Sequence, residues 1–405
     1  MQKDKPTTPF RRPDWLTKHI FDNLHFYYPR CINQQDGGYF HCFLDDGTIC
    51  DHHTKHIVGT SRFIIIFSIG ARLSGAPWCV DAAKQGLISL QNHFRDQEHG
   101  GYFWKLKDHK VSVSKKYAYG HAFALLAAAR AFAAGIQHAG IIMDDIYNLL
   151  ERHFWEEEHG LYADEISADW AAVSPYRGQN ANMHLCEAMI AAYEATHNKK
   201  YLERAHRLAY SVTVKLASQS GGLIWEHYHT NWKINWTFVE TNEDLKQFRP
   251  QGFIPGHSIE WSKLLLMLAR HQSEPWMLER AIELYNKALK ISWDAKYGGI
   301  FYSLSPEGDV RNSSKYYWVM AEAIGASALM GITLKDEQYL RNYDGFFAYS
   351  WSYLFDKTYG GWFEKLNRQN QKLSNVKSPV TKTDYHPITN CYEAIRSFAK
   401  SQRSF

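Results

Sequence analysis

The chain has 405 residues, 45% of them apolar and 22% charged, so it can bury a large core. Its 46 basic and 42 acidic residues leave a net charge of +4, which gives no electrostatic footprint for nucleic acid or an anionic membrane. Aromatics reach 15%, with 14 Trp and 25 Tyr, and there are 21 His. Such rings suit a sugar site, and they equally fill a large helical core.

The chain begins Met1-Gln2-Lys3-Asp4-Lys5-Pro6, without a hydrophobic signal core, so a cytoplasmic location is expected. Cys31, Cys42, Cys50, Cys79, Cys186 and Cys391 form no Cys-x-x-Cys pair. They are expected as free, mostly buried thiols. The longest apolar stretch, around Ala122–Met143, is interrupted by Arg130, Gln137 and His138 and reads as packed helices, not a membrane span.

One pattern recurs: glycine followed by two apolar or aromatic residues. It runs Asp36-Gly37-Gly38-Tyr39-Phe40, His99-Gly100-Gly101-Tyr102-Phe103 and His159-Gly160-Leu161-Tyr162. It continues as Ser220-Gly221-Gly222-Leu223-Ile224, Tyr297-Gly298-Gly299-Ile300-Phe301 and Tyr359-Gly360-Gly361-Trp362-Phe363. The last glycines are 63, 59, 62, 77 and 62 residues apart, which indicates a repeat architecture. The residues after each glycine read as a short strand.

Between the glycine motifs the period turns helical. Tyr119–Ala134 and Gly140–Phe154 form one pair of helices. Met183, Glu187 and Ile190, then Leu202, Ala205 and Leu208, mark another, split by His197-Asn198-Lys199-Lys200. Twelve helices in six pairs predict an all-α fold, an (α/α)6 barrel with short β-hairpins at one end. The terminal repeats are as apolar as the middle ones, which favours a closed ring over an open solenoid. No linker interrupts the chain, so one domain spans 1–405.

In a ring, equivalent positions of the inner helices face one cavity. About 20–25 residues beyond each glycine stand Arg62, His121, His184, His257, Trp318 and His386, once the longer fourth repeat is allowed for. Glu187, Glu260 and Glu322 follow three of them by about one helical turn, where a carboxylate can orient an imidazole. Pro255-Gly256 places His257 in the first turn of a helix. The extra residues of the fourth repeat fall in 226–253, which reads as a lid over the cavity. It contains His227, Tyr228, Trp232, Trp236, Asn242, Lys246 and Arg249. The basic pair Lys246 and Arg249 would suit an anionic sugar. The chain has no phosphate loop, dinucleotide fingerprint or nucleophile elbow, and the convergent positions hold no His-x-x-x-His pair for zinc.

The segments Arg177-Gly178-Gln179-Asn180-Ala181-Asn182-Met183-His184, Pro255-Gly256-His257-Ser258-Ile259-Glu260-Trp261 and Tyr385-His386 resemble the N-acylglucosamine 2-epimerase superfamily. Tyr119-Gly120-His121-Ala122-Phe123 and Arg62 fit as well. The resemblance implies the same barrel, a monosaccharide substrate and no cofactor or metal. It implies His257 and His386 as the acid/base pair. Arg62, His121, Asn180 and His184 would bind or polarise the sugar, with Glu260 and Trp318 in the pocket. Within that family the chain looks nearest to aldose–ketose isomerases acting on mannose, with lyxose as a second substrate. A 2-epimerase would use the same two histidines, and a glycoside hydrolase would need a carboxylate pair instead. The sequence sets no oligomeric state.

Overall fold

The structure is a computed structural model that describes residues 8–402. Among these residues twelve α-helices follow in order: α1 (Pro13–Tyr27), α2 (Ile57–Ser74), α3 (Pro77–Ser89), α4 (Ala118–Ala133), α5 (Ala139–His153) and α6 (Gln179–Thr196). They continue as α7 (Lys199–Tyr210), α8 (Pro255–Ala269), α9 (Pro275–Ser292), α10 (Tyr317–Leu334), α11 (Glu337–Tyr353) and α12 (Tyr385–Gln402). The even-numbered helices pack side by side, and α12 returns to α2 to close the ring. The odd-numbered helices lie outside, each against an inner one. The N-terminal α1 packs on the C-terminal α12, so the two chain ends complete one pair. This is the expected (α/α)6 barrel.

Sequence decides which helix lies inside. The Ala-rich α4 is buried almost all round. Its neighbour α5 buries only Ala139, Ile142, Met143, Ile146 and Leu150, one stripe at helical spacing. By length and apolarity α2 and α10 could cross a membrane, but the barrel itself covers most of their surface. The polar break after α6 works through its caps. His197 takes a left-handed conformation, and the Asn198 side chain accepts from the Lys200 N–H at 3.2 Å to start α7.

The short strands all lie in the outer-to-inner connections, at one end of the ring. The strand expected after each glycine is shorter than that in most repeats. Tyr39, Tyr102, Ile300 and Trp362 each make a single bridge, to Ile32, Arg95, Trp293 and Phe355. The next residue donates to the end of the outer helix, as Phe103 does to the Phe94 carbonyl at 2.8 Å, so the ladder stops there.

One cysteine expectation is corrected. Cys42 and Cys50 form a disulfide, because the hairpin of Cys42–Leu44 with Ile49–Asp51 brings their Cα atoms to 5.3 Å. The other four are free and buried, as expected.

A buried cation ties five of the six glycine turns to the segment that leads into the next inner helix. Asp96 folds its turn by accepting from the Glu98 and His99 N–H groups, and its own N–H bonds the Gly101 carbonyl at 2.9 Å. Gly101 has φ +72°, which a side chain resists. Twenty residues on, Lys116 Nζ reaches Asp96 at 2.6 Å, two residues before α4. The same arrangement joins Lys315 to Asp294 and Lys377 to Asp356. Arg177 with Glu156, and Lys55 on the Gly37 carbonyl, are variants of it. In the fourth turn the glycine carbonyls are met from α9, by Lys287 and Arg280.

Removing the cation alone leaves Asp96 charged and buried. Lys116→Met should therefore cost about 3–5 kcal/mol of stability, read as a lower urea midpoint. The exposed Lys18–Asp22 pair is the control, where Lys18→Met should change stability by less than about 0.5 kcal/mol.

Candidate active site

The N-terminal turns of the inner helices surround a cavity of about 710 Å³, within the range of small-molecule sites. Arg62, Asn180, His184, His257, Glu260, Trp318 and His386 all line it. His121 does not. Its Nδ1 bonds the Tyr117 carbonyl at 2.8 Å, and its Nε2 accepts from the Tyr102 N–H at 3.1 Å. Both nitrogens are thus consumed by backbone, and burial holds the imidazole near a pKa of about 4.

The reason is helical phase. Asn182 and Asp384 do the same work, accepting the Tyr162 and Trp362 N–H groups at 2.8 and 3.0 Å. Two residues beyond these pegs come His184 and His386. Two residues beyond His121 comes Phe123. A displacement of two residues turns the side chain by roughly 200°, so counting from glycine within a few residues could not separate peg from cavity. On α4 it is Tyr119 that reaches the cavity.

Each cavity imidazole has its own buried carboxylate. His257 Nδ1 donates to Glu226 at 2.9 Å, and His386 Nδ1 donates to Glu322 at 2.8 Å. That assignment of protons follows from the carboxylate partners, and it leaves each Nε2 for the cavity. Gln179 supports the first pair by donating to Glu226 at 2.9 Å, while its oxygen accepts from Trp261 at 2.7 Å. The Trp318 ring packs against both imidazoles, with centroids 5.0 Å from His257 and 5.7 Å from His386. Burial and the Arg62 charge push His386 well below the ordinary histidine value, so it rests neutral.

His184 Nδ1 meets Glu187 at 3.2 Å, as the one-turn spacing suggests. The other two spacings mislead. Glu260 is not the partner of His257, and Glu322 serves His386 on the next helix. Glu260 is 1% exposed, and neither of its oxygens has a hydrogen-bond partner. Burial, then Glu322 and Glu187, raise it well above the usual carboxylate range. It therefore presents a neutral O–H donor to whatever fills the cavity.

Arg62 lies between the Phe123 and Tyr385 rings, 4.5 and 5.2 Å from their centroids. It donates to the Thr381 carbonyl at 2.7 Å and to Tyr119 at 3.3 Å. Asn180 donates to the Phe248 carbonyl at 2.8 Å, and its oxygen is unpartnered.

Phe248 comes from the 226–253 segment, which forms one wall of the cavity. Arg249 docks that wall through Asp164 at 3.1 Å and through Glu165 and Glu240 at 2.9 Å. Its charge is thereby matched, and Lys246 pairs with Glu243. Of the two basic residues that would have suited an anionic sugar, Arg249 is engaged by buried carboxylates, while the Lys246–Glu243 pair is exposed and Lys246 lines the cavity.

His184, Glu187 and Glu260 offer donor atoms within 4.8 Å of one another, as do Glu260, Glu322 and His386. Positive charge already stands there, since Lys263 bridges to Glu322 and both Lys263 and Arg62 act on Glu260.

Sequence reasoning missed Glu226, Gln179 and Tyr119 as site residues. A signal for Glu226 existed: acids stand three to five residues past glycine at Asp164, Glu165, Glu226 and Glu364.

Comparison with known proteins agrees with the fold. The family model for N-acylglucosamine 2-epimerase (GlcNAc 2-epimerase) matches residues 38–390. A D-mannose isomerase of Marinomonas mediterranea is 42% identical over 96% of this chain and 98% of its own. One from Thermobifida fusca is 35% identical over 73% of this chain and 74% of its own. A crystal structure of D-mannose isomerase superposes with a TM-score of 0.92 at 42% identity, covering 96% of this chain and 99% of that one. A match over nearly the whole ring, with the paired imidazoles inside it, places this chain in the N-acylglucosamine 2-epimerase family.

Proposed function

We propose that the protein is an aldose–ketose isomerase that interconverts D-mannose and D-fructose. One observation carries the site reading: His184, His257 and His386 face one cavity, each with Nδ1 committed to a buried carboxylate, and the last two share the Trp318 ring. The similarity to D-mannose isomerases over nearly the full length supports the substrate.

Mannose and fructose are isomers, so only protons need to move. His386 assists ring opening, which takes the proton from O1 and delivers one to O5. His257 then removes the C2 proton, and O1 gains a proton to give a cis-enediol. Loss of the O2 proton with return of a proton to C1 gives fructose. A neutral imidazole suits both transfers at neutral pH. Arg62 and the Glu260 O–H are donors for the oxygens on which charge develops, and His184 offers its Nε2 as an acceptor for a sugar hydroxyl. Trp318 and Tyr119 wall the sugar. D-Lyxose, which shares the configuration at C2, is a second substrate on this reading.

The reading also takes the chain as cytoplasmic. Cys50 is exposed on its hairpin, so a reducing pool could reach the Cys42–Cys50 bridge.

Incubation of the purified protein with D-mannose in D2O, followed by NMR, should give fructose first. Glucose appearing first would move the reading to a 2-epimerase. His257→Asn and His386→Asn should each lower kcat by about 10²–10⁴-fold with the fold retained by circular dichroism.

The pH dependence has a defined sign. Glu260 is held protonated, so its donor is present at neutral pH and lost as pH rises through its raised pKa. Activity should fall on that alkaline limb. Glu260→Gln donates at every pH, so the limb should flatten in this variant.

A further inference from the structure

Lys263 is a charged group that the chemistry above does not use. It lies on α8, one turn beyond Glu260, and is 2% exposed. An ammonium in that position is costly without a purpose. Its Nζ forms a salt bridge with Glu322 Oε2 and donates to Asn390 Oδ1 at 3.3 Å. The other Glu322 oxygen accepts from His386 Nδ1 at 2.8 Å and from Asn390 Nδ2 at 2.7 Å. Glu322 is thus held between one permanent charge and one imidazole.

We propose that Lys263 is a positioning residue that keeps Glu322 ionised and thereby fixes His386 as the tautomer with its proton on Nδ1. This rests on His386 being an acid/base group of the isomerase. Ionised Glu322 can only accept, so His386 must donate from Nδ1 and present a bare Nε2 to the cavity. Without the ammonium, the balance tips. Burial raises Glu322 and Glu187 adds to the rise; Lys263 is the largest opposing influence, so Glu322 ends above its ordinary value but less so than Glu260, to which no cation is bonded. A neutral Glu322 would donate to Nδ1, and the proton of His386 would move to Nε2. The cavity would then face a donor where the reaction needs an acceptor.

The surrounding groups do not replace Lys263. Tyr119 on α4, His184 and Glu187 on α6, His257 and Glu260 on α8, and Tyr385 on α12 supply no fixed cation. Arg62 on α2 is bonded to Thr381 and Tyr119. Lys263 acts on Glu322, Glu260 and Glu187, most strongly on Glu322, while Glu260 rests protonated.

The test reads the proton itself. Full-length protein labelled with ¹⁵N-histidine gives ring-nitrogen correlations that distinguish Nδ1–H from Nε2–H, and His386→Asn assigns the signal. Wild type and Lys263→Arg should show Nδ1–H, and Lys263→Gln should show Nε2–H. Lys263→Gln should also lose about 10–100-fold in kcat on mannose with KM nearly unchanged.

A Lys263→Gln protein that keeps Nδ1–H would overturn the proposal. A flipped tautomer with full activity would spare the tautomer control but reject His386 as the acid/base group. If Lys263→Gln does not fold, Glu322→Gln decides. There Lys263 draws the amide oxygen and turns the amide NH2 toward Nδ1, so Nε2–H is expected. Nδ1–H in that variant would refute the role of the ionised carboxylate.

Discussion

The barrel depends on a buried ion pair repeated around its mouth. The glycine turn ends an outer helix, and the cation comes from just before the next inner helix. Pairing them at 2.6 Å in Lys116–Asp96 and 3.1 Å in Lys315–Asp294, two residues ahead of α4 and α10, fixes where those helices begin. Helix packing alone leaves a helix free to slide along its neighbour. A slide of two residues would exchange peg for cavity residue and empty the site of its histidines. The ion pairs, together with pegs such as Asp384 on the Trp362 N–H, remove that freedom. A buried pair of this kind adds little net stability against an apolar alternative, but its geometry is demanding. Setting the helix register is the use of it that this ring displays.

The fourth repeat departs from the scheme, and one wall of the cavity lies there. Its turn is held from α9 instead, by Arg280 and Lys287. That frees the connection to α8, which carries Glu226 and the wall segment. Glu226 takes His257 and Gln179 as partners, so a carboxylate in the connection orients an imidazole. The opposite imidazole, His386, draws its carboxylate from α10. The two imidazoles thus hang from different parts of the scaffold and reach one cavity from two places in the ring.

The fold was legible because glycine, aromatic and helical period recur six times, and repetition survives errors at single positions. Arg62, His184, His257 and His386 were legible for the same reason. His121 was misplaced because a count from glycine carries a slack of several residues, more than a helix needs to turn a side chain away. The Glu226–His257 pairing was hidden because its two members are 31 residues apart on separate elements. The Cys42–Cys50 bridge was hidden because a hairpin closure between them carries no cysteine motif. Glu322 was found as an acid but assigned to its own helix, since one-turn spacing sees only neighbours along the chain.

The wall segment bears on which sugars the cavity takes. Read from sequence it was a mobile lid with two basic residues for an anionic substituent. In the structure Arg249 is surrounded by Asp164, Glu165 and Glu240 and packs 4.0 Å from the Tyr176 centroid. His227 adds a bond to the Pro250 carbonyl at 2.9 Å. Recruiting Arg249 for a charged sugar would leave several buried carboxylates short of their cation, a loss that one new ion pair does not offset. Arg249 is therefore not available to a charged sugar. Beside the exposed Lys246, the wall offers the cavity the Phe248 face and an Asn180 tied to its backbone, groups that recognise C–H surfaces and hydroxyls.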